Sequence, residues 1–334
     1  MLSLRAPCAL LFPGDMFGGS HMSLAFRLLA AAAACLLGAG VAPAQDTGTL
    51  KKVKESGVIA IGVREGSSPF SYHDGKGQYI GYSVDICTRI VDVIKTQLKL
   101  PNLKVTWVSV TPDNRIPMLL KGAIDLECGS TTNSLERQKQ VGFVVTTFFT
   151  GTRLLVKTAS NIRSYKDLRG KTVAVTSGTT NEQAIRKIDA QDNLGMNFIN
   201  VKDHIEAFQV VESGRAAAFA MDDVLLYTLR ANARTPVDFA VVGDFLTDEP
   251  YAIMLRKDDA ALKKLADITV VAMFKSGEIN RLYSKWFESP IPPKGANLNM
   301  PMSDMLKDDI KNPNDRGVDK CGRMKCLMYL PSGV

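Results

Sequence analysis

Hydroxyl groups and a cation follow one another closely in one stretch of the sequence, residues 122–143, which we call the seat. The seat begins with a short apolar run of strand length, can turn sharply at Gly129, and then presents three hydroxyl side chains, Ser130, Thr131 and Thr132. Asn133, with Glu136 three residues later, predicts the N-cap of a helix that has Arg137 in its first turn. A helix N-terminus offers unpaired backbone N–H groups, and the guanidinium would point back towards them. The seat is therefore predicted to bind a carboxylate or a phosphate.

A structural interpretation of the same stretch is a capped helix with a solvated arginine, and for an isolated turn it would be preferred. The seat is not isolated, because a similar order of strand, turn and helix occurs at residues 171–182. There Thr179 and Glu182 have the spacing of a capping box. We therefore interpret the seat as a ligand site.

The composition is that of an ordinary globular protein. The chain has 334 residues, of which 46% are hydrophobic and 22% charged, and this excludes disorder as the main state. The formal net charge is +7. The excess is modest, and basic residues do not form runs interleaved with aromatic residues, so we expect no nucleic-acid partner.

The N-terminal region has the organisation of a secretory signal peptide at residues 22–44. A short positive start is followed by an alanine- and leucine-rich apolar core and by small residues before Gln45. Residues 1–21 are then interpreted as a non-native upstream extension. The expected location is the periplasm, and the alternative is a lipoprotein anchored at Cys35.

Four cysteines remain downstream of the predicted signal peptide, namely Cys87, Cys128, Cys321 and Cys326. An exported compartment permits disulfides, but the sequence does not assign the pairs. The Cys-x4-Cys spacing of the last two is unsuited to zinc and no histidine is nearby, so we expect neither a metal nor a cofactor.

Predicted strands and helices alternate along most of the chain, which is typical of doubly wound parallel sheets. Two extended runs without helix signals, at 146–157 and 249–256, interrupt the alternation. We therefore predict an α/β fold with two doubly wound lobes joined by two extended hinge crossovers. The predicted boundaries are lobe 1 at 45–148 and 254–300, lobe 2 at 149–253 and a C-terminal tail at 301–334, with regular structure ending at 289–295.

Several motifs occur in the order found in one known family. They are Arg64, Ser-Pro-Phe-Ser-Tyr at 68–72, Glu-Cys-Gly-Ser-Thr-Thr-Asn at 127–133, Glu-Arg-Gln-Lys-Gln at 136–140, Thr-Ser-Gly-Thr-Thr at 176–180 and Glu-Ser-Gly-Arg-Ala-Ala-Ala-Phe-Ala-Met-Asp-Asp at 212–223. The chain thereby resembles bacterial periplasmic amino-acid-binding proteins over roughly residues 50–315. The nearest subgroup is the glutamate/aspartate receptor of ABC uptake systems, and the resemblance implies the type II periplasmic-binding fold.

The resemblance also implies roles for eight residues. Arg137 would pair with the α-carboxylate of an amino acid with help from Ser130, Thr132 and Thr180, and Asp222 would take the α-ammonium. The side-chain carboxylate would be held by three donors, Arg64, Arg115 and His204. Relatives commonly have serine at the position of Pro112, so the preference between glutamate and aspartate stays open. Implied partners are an acidic amino acid and the membrane permease of an ABC transporter, and we expect a monomer.

Each of the three side-chain donors also has a structural interpretation. Arg64 could be a surface ion-pair partner, Arg115 a cation at a helix start, and His204 an ordinary residue of a helix N-terminus. Three such coincidences at matched positions of one family are less plausible than a common site.

Two other function classes fit the same scaffold. An exported enzyme resembling cyclohexadienyl dehydratase would need a catalytic acid beside the gripping arginine. Asp222 is already assigned to the ammonium, and Glu127 alternates with apolar residues on a strand, which places it away from the cleft or in a structural ion pair. The ligand-binding core of a receptor channel would need membrane helices inserted between the lobe segments, and the sequence has none there.

Overall fold

The structure is a computed structural model that describes residues 48–319. The predicted upstream extension at 1–21, the predicted signal peptide at 22–44, Cys321 and Cys326 lie outside the described residues. In the part that is described, no helix has the length and apolarity to cross a membrane. Nor do the described histidines, cysteines and acidic residues form a group of three or more that could hold a metal ion.

The described strands are numbered in chain order. They are β1 (Val58–Val63), β2 (Gly66–Ser67), β3 (Ser71–His73), β4 (Tyr79–Ile80), β5 (Lys104–Ser109), β6 (Leu126–Glu127), β7 (Val141–Phe143), β8 (Phe148–Thr150), β9 (Thr152–Lys157), β10 (Thr172–Thr176), β11 (Asn197–Val201), β12 (Ala218–Asp222), β13 (Phe239–Val242), β14 (Glu249–Tyr251) and β15 (Met254–Arg256).

The described α-helices are α1 (Thr49–Ser56), α2 (Tyr82–Leu98), α3 (Arg115–Leu120), α4 (Thr180–Asp192), α5 (His204–Glu212), α6 (Asp223–Ala231), α7 (Ala260–Lys275), α8 (Glu278–Phe287) and α9 (Asp304–Lys311). Short 3-10 helices occur at Arg137–Lys139, Thr158–Ser160, Tyr165–Leu168 and Pro236–Asp238.

The first lobe is built on a five-stranded sheet with the order β5-β1-β6-β15-β7. Strand β1 pairs in parallel with β5 and β6, while β15 returns antiparallel to β6 and β7. Strand β1 lies between β5 and β6 and is the apolar run Val58–Val63, as expected for a strand with both faces covered. Helix α2 packs on the sheet through isoleucines one turn apart, Ile86, Ile90 and Ile94, all fully buried.

The second lobe repeats this plan with the order β11-β10-β12-β9-β13. Strand β10 is parallel to β11 and β12, and β9 runs antiparallel to β12 and β13. Helix α4 begins where the capping spacing predicted, because the Thr179 hydroxyl accepts a hydrogen bond from the Glu182 N–H. The carboxyl ends of β10 and β12 thus point their following turns towards one edge of the sheet.

The two crossovers between the lobes are extended, as predicted, and they pair with each other. Strands β8 and β14 form a two-stranded antiparallel ribbon. Phe148 and Tyr251 on this ribbon contact Phe70, with ring centroids 4.8 Å and 5.0 Å apart. The predicted fold class, two α/β lobes joined by two extended hinge crossovers, is confirmed, and the hinge is anchored in the aromatic core of the first lobe.

The prediction that regular structure ends at 289–295 is wrong. Helix α9 follows, capped by Ser303, whose hydroxyl accepts from the Leu306 N–H. Leu306 is buried against the first lobe, and the chain beyond the helix then joins the seat, where Leu135 N–H donates to the Val318 carbonyl at 2.9 Å. The proline-rich segment at 289–295 is therefore a turn within the fold rather than its end.

A disulfide joins Cys87 in helix α2 to Cys128, which directly follows β6. The pairing had stayed open at the level of sequence, because it requires the helix to pack across the carboxyl end of a strand. The bond fixes the start of the seat to the core of the first lobe.

Candidate functional site

A small cavity lies between the two lobes and has an empty volume of about 210 Å³. Seven of the eight predicted site residues line it, and Arg137 is the exception. The first lobe contributes Arg64, Arg115, Ser130 and Thr132. The second lobe contributes Thr179, Thr180, Asn181, His204, Met221, Asp222 and Leu225.

The seat does not contain the predicted α-helix. After β6 the chain bends at Gly129 and Ser130, and Thr132 then forms an isolated bridge with Tyr251 of the hinge. Asn133 does not act as an N-cap, because its side-chain oxygen accepts from the Gln138 side-chain amide at 2.8 Å. Its own side-chain amide donates to the Asp315 carbonyl, and its backbone N–H donates to the Pro250 carbonyl. These long-range bonds replace the local capping pattern, and a helix N-terminus is therefore not available to an anion here.

Arg137 lies in the 3-10 helix Arg137–Lys139 and is buried. Its guanidinium donates to the Thr132 carbonyl at 2.8 Å and to the Gly178 carbonyl of the second lobe at 3.2 Å. Burial, followed by repulsion from Arg115, lowers the pKa of Arg137 to about 9, while Glu249 opposes the shift. The arginine thus bridges the two lobes directly behind the cavity wall.

One end of the cavity, which we call the distal end, carries Arg64, Arg115 and His204. Burial and then Arg115 lower the pKa of Arg64 to about 9, and burial also lowers that of Arg115. Arg115 Nη1 donates to the Thr131 hydroxyl at 2.6 Å. Arg64 Nη1, Arg115 Nε and the Ser130 hydroxyl are buried without a hydrogen-bond partner among the described residues. Buried donors of this kind are costly unless something accepts from them.

His204 begins helix α5, and its Nδ1 lies 3.0 Å from the Thr176 hydroxyl. Burial, with Arg64 and Arg115 acting in the same direction, lowers the pKa of His204 well below its ordinary value. The imidazole is therefore neutral at neutral pH. In the tautomer whose Nδ1 accepts from the Thr176 hydroxyl, Nε2–H is the donor that remains.

The other end of the cavity, the α end, is acidic. Asp222 accepts from the Asn181 amide at 2.6 Å and from the Tyr251 hydroxyl of the hinge. Burial, and next the neighbouring Glu249, raise the pKa of Asp222 well above its ordinary value. A cation placed here would favour the ionised carboxylate.

Glu249 is a second buried acid at this end, on hinge strand β14. It accepts from the hydroxyls of Thr180 and Thr247, each at 2.7 Å. The Thr180 hydroxyl also lies 3.3 Å from that of Thr132 across the cavity. Burial raises the pKa of Glu249.

Sequence reasoning missed Asn181, Glu249 and Tyr251 as members of the site. Asn181 follows Thr180 in the capped turn, so the motif pointed to its neighbourhood. Glu249 and Tyr251 lie on a crossover, and their local sequence carries no signal because the other site residues reach them only through the fold.

Glu127 is buried and does not line the cavity. Its Oε2 accepts from the Thr131 hydroxyl at 2.5 Å, which places the carboxylate behind the distal wall. Taken together, the cavity has two buried guanidinium groups at one end and a buried carboxylate at the other. This arrangement suits a small molecule with an anionic group at one end and a cationic group at the other.

The chain matches the model of the bacterial extracellular solute-binding proteins, family 3, over residues 59–289. It is 49% identical to an L-glutamate/L-aspartate-binding protein of Pseudomonas aeruginosa, covering 90% of this chain and 100% of the relative. It is 45% identical to a glutamate/aspartate import solute-binding protein of Escherichia coli, covering 86% of this chain and 96% of the relative.

Solved structures agree on the fold. A mutant of ArgBP from T. maritima aligns with a TM-score of 0.64 and 29% identity, covering 72% of this chain and 99% of the other. The ancestral amino-acid-binding protein AncCDT-1, described as a precursor of cyclohexadienyl dehydratase, aligns with a TM-score of 0.61 and 31% identity over 72% and 99%. On the extent of the family match and the identity to these relatives, the chain belongs to the bacterial extracellular solute-binding proteins, family 3.

Proposed function

We propose that the protein is an extracytoplasmic receptor that captures acidic L-amino acids, glutamate or aspartate, between its two lobes and delivers them to the permease of an ABC transporter. The observation that carries the proposal is the set of buried donors without partners among the described residues, Arg64 Nη1, Arg115 Nε and the Ser130 hydroxyl. They belong to the cavity that also contains Asp222. The names of relatives at 45% to 49% identity support the same ligand class.

The α end would bind the groups that all amino acids share. Asp222, held by Asn181 and Tyr251, would take the ammonium. The Thr132 hydroxyl would donate to the α-carboxylate. The Thr180 hydroxyl would do so by exchanging its bond to Glu249, and Arg137 would reach the carboxylate by exchanging its bond to the Gly178 carbonyl. Affinity for any α-amino acid would rest on these groups.

The distal end would select the side chain. Arg64, Arg115 and neutral His204 would all donate to a second carboxylate. A neutral amide would leave two buried guanidinium groups without an anion, which is unfavourable. Selection of an acid over its amide therefore follows from the charge at this end.

Closure around the ligand would use the β8–β14 ribbon as the hinge, with the lobe boundaries at 148/149 and 253/254. A ligand held by both lobes binds the closed form better than the open form, and this difference drives closure. Small-angle scattering should show a smaller radius of gyration with glutamate than without it. The forward scattering intensity should correspond to a monomer in both states. Asp222→Ala should reduce the change, and an unaltered curve at saturating glutamate would contradict hinge closure.

The protein would act without turning its ligand over. AncCDT-1 connects the fold to an enzyme, but the relatives with 45% to 49% identity are named as binding or import proteins. Asp222, the acid in the cavity, is assigned to the ammonium. Glutamate recovered after incubation should be chemically unchanged by NMR, and any product would favour an enzyme.

Calorimetry tests the ligand class directly. The chain from Gln45 onwards, unfolded to strip ligand and refolded, would be titrated with glutamate, aspartate, glutamine and asparagine. We expect the two acids to bind more tightly than the two amides by about tenfold or more, since an amide leaves the distal guanidinium groups unpaired. Equal affinities for glutamate and glutamine would refute the assignment of the distal end.

A further inference from the structure

Glu127 is a buried carboxylate that the proposed binding contacts do not use. It ends strand β6 and has no exposed surface. The Thr131 hydroxyl donates to its Oε2 at 2.5 Å and accepts from Arg115 Nη1 at 2.6 Å. One hydroxyl therefore connects this carboxylate to a guanidinium that lines the cavity.

The carboxylate also approaches the aliphatic stem of Arg64. A Cβ added to Gly129 would overlap Glu127 Oε1 and would stand 2.9 Å from the Arg64 Cγ. The carboxylate and the arginine stem thus converge on the bare α-carbon of Gly129, and a side chain at this position would push them apart. Glu127 consequently sits beside both distal arginines, outside the cavity they line.

The electrostatic effect of this position favours charged guanidinium groups. Burial and Arg115 lower the pKa of Arg64, whereas Glu127 raises it, as does Asp203. For Arg115, burial lowers the pKa, and Glu127 is the leading opposing influence, followed by Tyr251 and by the acids of the α end. Glu127 is therefore a counter-ion shared by the two arginines.

We propose that Glu127 is a specificity-determining residue that lowers the charge of the distal end to the value that a single ligand carboxylate neutralises. The inference rests on the proposed function. The two arginines carry +2, and with Glu127 the three groups carry +1, which one side-chain carboxylate of the ligand neutralises.

Two consequences of opposite sign follow from this arrangement. In the unliganded protein, Glu127 stabilises the fold by compensating two like charges. In the complex it repels the side-chain carboxylate of the ligand, and this moderates the affinity so that the ligand can be released.

The substitution Glu127→Gln separates these effects, because it removes the charge and keeps an oxygen that accepts from Thr131. We expect a lower unfolding temperature for the unliganded variant together with tighter glutamate binding. Glutamine should be nearly unaffected, so the ratio of the glutamine Kd to the glutamate Kd should rise by about tenfold. A purely structural role would instead lower stability and weaken both ligands.

Glu249→Gln is the matched control, because it removes an equally buried carboxylate at the α end. It should change the affinities for glutamate and glutamine alike. An unchanged or reduced ratio in Glu127→Gln, or an equal rise in Glu249→Gln, would overturn the role of Glu127. A wild-type protein that does not distinguish glutamate from glutamine would instead refute the proposed function.

The wild-type protein offers a second measurement that does not depend on folding of a variant. L-2-amino-4-phosphonobutyrate carries a distal group that passes from one negative charge to two. With a distal charge of +1, its affinity relative to glutamate should fall as pH rises through the second ionisation of the phosphonate. Groups that titrate in the same way in both complexes, including Asp203, Asp222 and Glu249, change the two affinities equally and leave their ratio unaffected. A ratio that rises with pH would mean that Glu127 does not offset the arginines.

Discussion

The two lobes present surfaces of opposite chemistry to the cavity. The first lobe contributes the distal arginines, Arg64 and Arg115, with Arg137 bonded behind the wall. The second lobe contributes the carboxylate Asp222 with neutral hydroxyl, amide and imidazole groups. The first lobe alone is therefore suited to anions, and the second lobe adds a carboxylate. In the proposed function, closure would bring this partner for an ammonium to the cationic groups of the first lobe.

The largest effect on ligand affinity is expected when the cations of the first lobe are removed one at a time. Arg137→Ala should weaken glutamate and glutamine alike, whereas Arg115→Ala should weaken glutamate selectively. Each loss should be about 2–5 kcal/mol, the usual cost of removing one partner from a buried charge pair. Calorimetry with both ligands measures the difference.

Arg186→Ala serves as the control for these two variants. Arg186 pairs with Glu182 on the surface of helix α4 and lies outside the cavity, so binding should be unaffected. Equal losses for both ligands in Arg115→Ala would mean that the two ends of the cavity are not distinct.

A smaller effect is expected where the backbones of the two lobes approach each other. Gly178, at φ +78°, faces the first lobe so closely that an added Cβ would stand 2.6 Å from the Asp113 Cα. Gly178→Ala should therefore hinder closure and weaken all amino acids by about 1–3 kcal/mol, the usual cost of overpacking. Small-angle scattering of this variant at saturating glutamate should show a smaller decrease in the radius of gyration than the wild-type protein shows.

Gly170→Ala separates backbone strain from the contact between lobes. Gly170 belongs to the same lobe and has φ +67°, but its added Cβ would meet nothing within 4 Å. Gly170→Ala should lower folding stability as Gly178→Ala does, but it should not lower the affinity for amino acids. Matching affinities in the two variants would show that Gly178 does not limit closure.

The smallest effect on ligand affinity is expected from a change in pH, which acts on the second lobe through Asp222. Burial raises the pKa of this carboxylate in the unliganded protein, and a ligand ammonium favours its ionised form. Binding therefore releases a proton, and glutamate affinity should fall by up to about tenfold per pH unit as pH drops below the unliganded pKa. Asp222→Asn should bind weakly at all pH values and lose this dependence. A wild-type affinity that is flat between neutral and mildly acidic pH would contradict the role of Asp222.

The sequence predicted elements well where local pattern and tertiary packing agree. The sequence predicts helices over residues 82–98 and 204–212, and the structure has both with these bounds, because their apolar spacing coincides with the faces they bury. The helix predicted at Asn133 failed for the opposite reason. The Asn133 side-chain oxygen accepts from Gln138 instead of capping a helix. The donors of Asn133 bind Pro250 and Asp315, which are remote in sequence and approach only in the folded protein.

The same reasoning separates the site residues that could be predicted from those that could not. Arg64, Arg115 and Asp222 were predicted through the resemblance to a family, whose motifs are visible in the sequence, and all three line the cavity. Glu249 and Tyr251 acquire their surroundings from the pairing of two crossovers about a hundred residues apart. Glu127 was expected to face away from the cleft, and it does stand behind the wall. Its connection to Arg115 through Thr131 is visible only in three dimensions.

The disulfide between Cys87 and Cys128 connects the maturation of this protein to its location. The bond spans 41 positions of chain, and the enclosed loop includes Arg115 and Glu127. Thiols stay reduced in the cytosol, so this crosslink forms only where the compartment is oxidising. Closing a loop of this length lowers the conformational entropy of the unfolded chain, and this stabilises the folded form by about 2–4 kcal/mol. A newly made chain would thus carry a more loosely held seat until export, and oxidation would complete the receptor in the compartment where it meets its ligand.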